Sequence, residues 1–253
     1  MEIFLLLCGH DGDVLGKDAR RALQSCGQAA LIIGDFFDYS AKVGWSLDSE
    51  RQSSLIRPAD RAAIRDREIR GVLVRKLPFE RRDGWSAKDA SYRYAEKGAA
   101  ILGWIWSLSC PVINRYSPEL WFGQIDSIDY WHGRLECFGL EPVPLRQWDA
   151  KRSYLVSVIG SRAIWDRSAP GKLRCIDDAL VQFARSLGLT YMEYTIADSL
   201  DKPRVAAVEP FPAYDGFCPA TRREIINELI ANLTASENHL LARSPPTHGF
   251  SLR

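Results

Sequence analysis

No two cysteines stand in a CxxC pair, and no histidine lies at a zinc-ligand spacing from any of the six cysteines, Cys8, Cys26, Cys110, Cys137, Cys175 and Cys218. That argues against a structural zinc module. A disulfide framework is equally out of keeping with a chain of 253 residues that is 46% hydrophobic and long enough to bury its own core. No apolar run approaches the ~20 residues that cross a bilayer. Met1 to Cys8 is apolar but has no basic residue ahead of it and breaks at once into Gly9, His10 and Asp11. It reads as a first core strand rather than a signal peptide. Excess charge is missing too: 33 basic against 32 acidic residues leave +1. Nothing global draws the chain to nucleic acid or to a membrane. These absences predict a soluble, cytoplasmic protein without a nucleic-acid or membrane partner.

Ready-made catalytic motifs are also scarce. The segment from Gly9 to Gly16 follows a strand and precedes a helix, where phosphate loops occur, but it matches neither GxGxxG nor the Walker pattern. Its acids, Asp11 and Asp13, would repel a phosphate, so a plain turn is the stronger reading. The histidines, His10, His132, His239 and His248, lie far apart, with no nucleophile motif beside them. Arg57, Arg61, Arg65 and Arg70 are interleaved with Asp60, Asp66 and Glu68, which favours a solvated, ion-paired face over a nucleic-acid stripe.

What the chain does have is alternation of strand and helix patterns. Ile3 to Cys8 and Ala29 to Ile33 are continuous apolar runs flanking a short helical pattern that closes near Gly27, the opening of a parallel sheet. Val43 to Leu47 and Ser53 to Ile56 read as short, more exposed strands, and Gly71 to Arg75 as a buried one. The stretch from Asp89 to Trp106 reads as a long helix with Tyr92, Ala95, Ala99, Leu102 and Trp106 on one face. Pro111 to Arg115 is then a strand, Tyr116 to Trp121 a loop, and Ser127 to Phe138 a helix closed by Gly139. Tyr154 to Trp165 is a hairpin turning at Gly160-Ser161. A helix over Asp177 to Ser186, strands over Thr190 to Ala197 and Arg204 to Glu209, and a helix over Pro219 to Leu233 complete the pattern, with a tail from about 235 that lacks core residues. Eight tryptophans predict a well-packed aromatic core.

Polar residues that end buried strands are the candidate binding groups, because ligands of open α/β sheets gather at the carboxyl ends of strands. Arg75 and the pair Asn114-Arg115 fit that position, and an arginine fork suits a carboxylate or phosphate. A structural ion pair is the competing reading for each arginine. Trp121 and Gln124 follow within one loop and complete the candidate site.

Three stretches resemble the ATP-grasp carboxylate–amine ligases, in particular the RimK-like and peptide-modifying branch. The first runs from Ile69 to Arg75 through the helix ending at Trp106 and Cys110 to Arg115, to Trp121, Gly123 and Gln124. It is similar to the N-terminal pre-ATP-grasp domain. The second, Tyr154 to Trp165, is similar to the hairpin of the C-terminal lobe. The third, Phe183 to Leu189 with the following strand and Val208-Glu209-Pro210-Phe211-Pro212, is similar to the end of the fold, where the last strands carry metal ligands. The resemblance implies an α/β fold with a Rossmann-like half over 1–115 and a smaller α+β ATP-grasp remnant over 116–253.

Against that pattern the chain departs in two places. Only Glu141 to Ser153, with Lys151 its one lysine, stands where the family has a lid subdomain over ATP. The family's aspartate and Glu-x-Asn positions fall at Thr195, Ala207 and Glu209, and a one-step shift would bring in Glu193 and Glu209. The resemblance with these departures implies a shortened, degenerate member: a pseudoenzyme that binds a peptide or small acid beside a complete ligase, as a homo- or hetero-oligomer, with no cofactor of its own. The alternative is an active ATP-dependent ligase working through an acyl-phosphate, with ATP and Mg2+ as cofactors and Glu209 and Glu193 as metal ligands.

Overall fold

The computed structural model describes residues 2–8, 12–33, 42–47, 52–57, 62–75, 86–122, 128–143, 152–199 and 202–235. Buried apolar runs become the central strands. β1 (Ile3–Leu7) and β6 (Ile69–Val74) pair in parallel, flanked by β2 (Ala30–Ile33) and β7 (Val112–Ile113), so the sheet reads β2-β1-β6-β7. The crossover from β1 to β2 is α1 (Val14–Ser25), and that from β6 to β7 is α2 (Ala87–Ser107). Between β2 and β6 the chain makes an antiparallel sheet of β3 (Lys42–Leu47), β4 (Gln52–Arg57) and β5 (Ile64–Arg65).

After β7 come two short helices, α3 (Pro118–Phe122) and α4 (Ile128–Glu136). The hairpin β8 (Ser153–Ile159) and β9 (Arg162–Trp165) turns at Gly160, whose φ of 59° only glycine adopts without strain. α5 (Asp177–Ser186), β10 (Tyr191–Asp198), β11 (Pro203–Glu209) and α6 (Pro219–Thr234) follow. These strands form a second antiparallel sheet in the order β11-β10-β8-β9. The fold is therefore mixed α/β, one parallel sheet with antiparallel sheets around it. No helix among the described residues is long and apolar enough to cross a membrane.

Both faces of the parallel sheet are covered. Leu5, Leu7, Val72 and Val74 share a core with Ile101, Trp104 and Ile105 of α2. On the other face Phe4, Leu6, Leu73 and Ile113 pack with Leu15, Ala19 and Leu23 of α1 and with Ile225, Leu229 and Leu233 of α6. The C-terminal helix thus closes the N-terminal sheet. The second antiparallel sheet lays Met192, Tyr194 and Ile196 against Phe183 and Leu180 of α5 and Trp131 of α4.

Two local readings change. α2 forms as expected, but Tyr92, Ala95, Ala99 and Trp106 are exposed and only Leu102 of that set is buried. The bulkier Ile101, Trp104 and Ile105 point at the sheet instead, because burying their larger apolar surface gains more. The stretch around Pro118 is the short helix α3 rather than a loop. Ser117 Oγ accepts from the Leu120 amide, and proline suits a first helical turn. Trp104, Trp121, Trp131 and Trp165 are core residues, in keeping with the aromatic-core reading, while Trp106 is half-exposed. Arg65, Arg67 and Arg70 are solvated, with Arg70 beside Glu2, and Arg61 lies outside the described residues.

Gly71 supplies a test of the packing between β1, β6 and α6. A Cβ there would come within 2.9 Å of the Phe4 ring and 3.3 Å of the Leu233 carbonyl. Gly71→Ala is expected to cost about 1–3 kcal/mol of stability, as overpacked sites do. Urea unfolding should show a lower midpoint with an unchanged m-value.

Candidate functional site

The strand ends of the parallel sheet meet the face of the second antiparallel sheet, and the junction is polar. Asp13 starts it. Standing just before α1, its Oδ1 accepts from the Gly16 amide at 2.7 Å and caps the helix. The same oxygen receives Arg75 Nη1 at 2.8 Å. Arg75 follows β6, with its backbone amide on the Leu7 carbonyl, and its Nη2 donates to the Pro212 carbonyl at 2.9 Å. Asp13 is 5% exposed and the Arg75 side chain 14%, so this is a largely buried pair.

Asn114 makes the second connection. It sits just past β7 in the left-handed region, at φ 64°. Its Nδ2 donates to Tyr116 Oη at 3.0 Å and to the Tyr191 carbonyl at 2.8 Å. Its Oδ1 accepts from the amides of Thr190 and Tyr191. One buried side chain thereby satisfies the entry of β10 with all of its amide groups. Tyr116 Oη in turn donates to the Pro210 carbonyl, and burial pushes its ionisation up.

Arg115 points elsewhere. Its Nη1 and Nη2 donate to the carbonyls of Ile105 and Trp106 at the end of α2 and of Leu108 and Cys110 just beyond it. Trp121 is buried, with its ring 5.8 Å from that of Tyr116. Gln124 lies outside the described residues. The strand-end residues therefore do not converge on one spot: Arg75 faces α1 and the segment 210–217, Asn114 faces β10, and Arg115 faces α2.

Glu193 and Glu209 stand directly opposite each other in the β10–β11 register, as do Thr195 and Ala207. Glu209 is exposed and Glu193 is 4% exposed. Both Glu193 oxygens are engaged: Oε1 accepts from Tyr191 Oη at 2.5 Å, and Oε2 accepts from the amides of Ala213 and Tyr214 at 2.9 and 3.1 Å. Burial pushes the Glu193 carboxyl above the usual range, although these donors and the Arg75 charge pull the other way. Among the described residues no three His, Cys, Asp or Glu side chains gather to hold a metal. Magnesium wants several hard oxygens open to it. Glu193, closed in by three donors, does not offer one, and this set does not fit a magnesium–nucleotide site.

Glu193 also ties down a strap over 210–217. Pro212 meets Arg75, Ala213 and Tyr214 meet Glu193, and Tyr214 Oη donates to Asp18 of α1 at 3.0 Å. Tyr214 is held at φ 67°, costly for a bulky residue and sustained by this set of contacts. Sequence reasoning missed Asp13, Tyr191 and Tyr214. The position of Asp13 one residue ahead of a helical pattern was the available signal for its cap. Nothing in the spacing marks the tyrosines.

No protein-family model matches the chain, and no curated protein matches its sequence. Solved structures do match the fold. The macrocyclase MdnC from Microcystis aeruginosa MRC, bound with the precursor peptide MdnA, is 13% identical, covers 92% of this chain and 100% of its own, and superposes with a TM-score of 0.67. A RiPP-associated ATP-grasp ligase from Chryseobacterium gregarium, in complex with ADP and a leader and core peptide, is 9% identical, with coverage of 97% and 98% and a TM-score of 0.65. The ATP-grasp ligase PsnB, complexed with a phosphomimetic variant of a minimal precursor, Mg and ADP, is 15% identical, with coverage of 92% and 99% and a TM-score of 0.64. The chain has the fold of these ATP-grasp ligases.

The junction predicts that its arginines act first on stability. Arg75→Ala strands the buried Asp13 carboxylate and is expected to cost about 3–5 kcal/mol, as one-sided removal of a buried pair does. Arg115→Ala removes the guanidinium that these four carbonyls share and is expected to cost about 1–3 kcal/mol. Urea unfolding of both variants checks the ranking. Midpoints equal to the parent's would remove the structural roles assigned to these side chains.

Proposed function

We propose that this chain is a non-catalytic, accessory relative of the peptide-modifying ATP-grasp ligases, binding a peptide or small acid beside a complete ligase. The single observation that carries the reading is Glu193. It is the acid of β10 nearest the expected metal position, and it is buried and hydrogen-bonded by the chain's own tyrosine and strap. Thr195 and Ala207, opposite each other on β10 and β11, bring no carboxylate to replace it. Transferring a phosphoryl group requires metal and cationic groups that neutralise the phosphate charge.

The region before β8 supports the same reading. α4 ends at Glu136 and β8 begins at Ser153. Within that interval Glu141 and Val143 already bond across to Val205 of β11, and Pro142 bridges to it in parallel. What remains is too short to build a separate lid subdomain over a nucleotide. The peptide side of the proposal draws on the neighbours, which are crystallised with precursor peptides. That likeness is one of fold, and it motivates a peptide as the first ligand to try.

Isothermal titration of the purified chain with Mg-ATP tests the proposal. The expected outcome is no saturable heat up to millimolar nucleotide and no ATP hydrolysis. Micromolar binding that disappears in Glu209→Gln would sink the accessory reading and favour an active ATP-dependent ligase instead.

A further inference from the structure

The strap over 210–217 is held across the strand ends by its main chain. Arg75 Nη2 donates to the Pro212 carbonyl at 2.9 Å, and Glu193 Oε2 accepts from the Ala213 and Tyr214 amides at 2.9 and 3.1 Å. A carbonyl followed by two successive amides is a pattern that any polypeptide can offer. The arginine fork and the carboxylate oxygen that engage it therefore make a site for peptide backbone, occupied in cis.

The strap is fastened at both ends and strained between them. Tyr116 Oη donates to the Pro210 carbonyl, and its ring lies 4.8 Å from that of Phe211. At the other end Arg222 Nε donates to the Phe217 carbonyl at 2.8 Å. In the middle Ala213, Asp215 and Gly216 are exposed, while Tyr214 turns inward to Asp18. Tyr214 stands at φ 67°, a backbone that a bulky side chain adopts at a cost. A strained occupant yields its place more readily than a relaxed one.

We propose that the strap is an autoinhibitory pseudo-ligand: it fills a peptide-backbone site formed by Arg75 and Glu193, and a peptide in trans binds by taking over the same three hydrogen bonds. The proposal rests on the peptide-binding reading above and adds to it the place and the recognition chemistry. Both partners of the strap sit where an open α/β sheet receives its ligands, at or beside the carboxyl ends of its strands.

The contacts set the terms of binding. A peptide reaches the site only in molecules whose strap has lifted, so its apparent affinity falls by the open fraction. The ligand class is a peptide with two free amides in succession, and proline at either position excludes it. Arg75 stays paired with Asp13 throughout, so the site calls for main-chain dipoles rather than a second carboxylate.

The probe is an acetylated and amidated peptide of residues 210–217, titrated by calorimetry into the full chain and into Tyr214→Ala. That substitution removes the strap's bond to Asp18 and leaves Arg75 and Glu193 in place. The peptide should bind Tyr214→Ala at least about tenfold more tightly than the parent, the gain matching the rise in open fraction. The same peptide N-methylated at the Ala213 and Tyr214 positions should bind neither protein. Equal affinity for parent and variant, no binding to either, or undiminished binding of the methylated peptide would each overturn the proposal. If Tyr214→Ala does not fold, hydrogen exchange in the parent decides. The Ala213 and Tyr214 amides should exchange through local opening, faster than those of the β1–β6 ladder, and a single shared rate would overturn the proposal. No arm uses nucleotide, so Mg-ATP binding by the chain would remove the accessory reading and leave the strap proposal standing.

Discussion

Everything in this fold hangs on joining the end of one sheet to the face of another. Strand ends present backbone groups with no ladder partner, and a face built for packing offers few hydrogen bonds in return. Asn114 resolves the mismatch at β7 by taking a left-handed backbone and using both ends of its amide on β10. Arg75 resolves it at β6 by reaching across to Pro212 while pairing with the cap of α1. Without those two side chains the carboxyl edge of the parallel sheet would face the second half with buried, unsatisfied polar groups.

That solution shapes the function the chain can serve. The carboxyl ends of the strands are where an open α/β sheet usually receives ligands. Here the chain's own strap, residues 210–217, occupies the place, with its carbonyl on Arg75 and its amides on Glu193. A carboxylate fixed so firmly by its own backbone serves cohesion. A magnesium ligand must keep lone pairs open to the ion and hold like charges together. In this structure Glu193 meets the first demand, holding the two strap amides and the Tyr191 hydroxyl.

The sequence carried the elements better than it carried their contacts. Buried strands such as Ile3 to Leu7 announce themselves as continuous apolar runs, and Gly139, Gly160 and Gly188 mark chain reversals by composition alone. The face of α2 was misjudged because a 3.5-residue stripe through Tyr92 and Trp106 looked as regular as the bulkier one through Ile101, Trp104 and Ile105. Periodicity counts positions and ignores the size of what it buries. The strand-end logic did single out Arg75, Asn114 and Arg115, but not their partners. Asp13 is 62 residues from Arg75, and Tyr191 is 77 from Asn114, and a single sequence holds no signal that links groups so distant. Glu193 stood out only through the family resemblance, which described it as a metal ligand and not as an anchor.

The placement of α6 has a bearing on how the molecule is made. Its Ile225, Leu229 and Leu233 complete, beside α1, the apolar layer over Phe4, Leu6 and Leu73, so that face of the sheet is only partly covered until the last of the described helices has been synthesised. A chain leaving the ribosome would carry the rest of that apolar face open until residues 225–233 had emerged. Contacts of such long sequence separation close slowly, and exposed apolar surface in the interval invites association with other nascent chains. The core over β1 and β6 therefore closes only once α6 is available, and until then those strands depend on α1 alone for cover on that face.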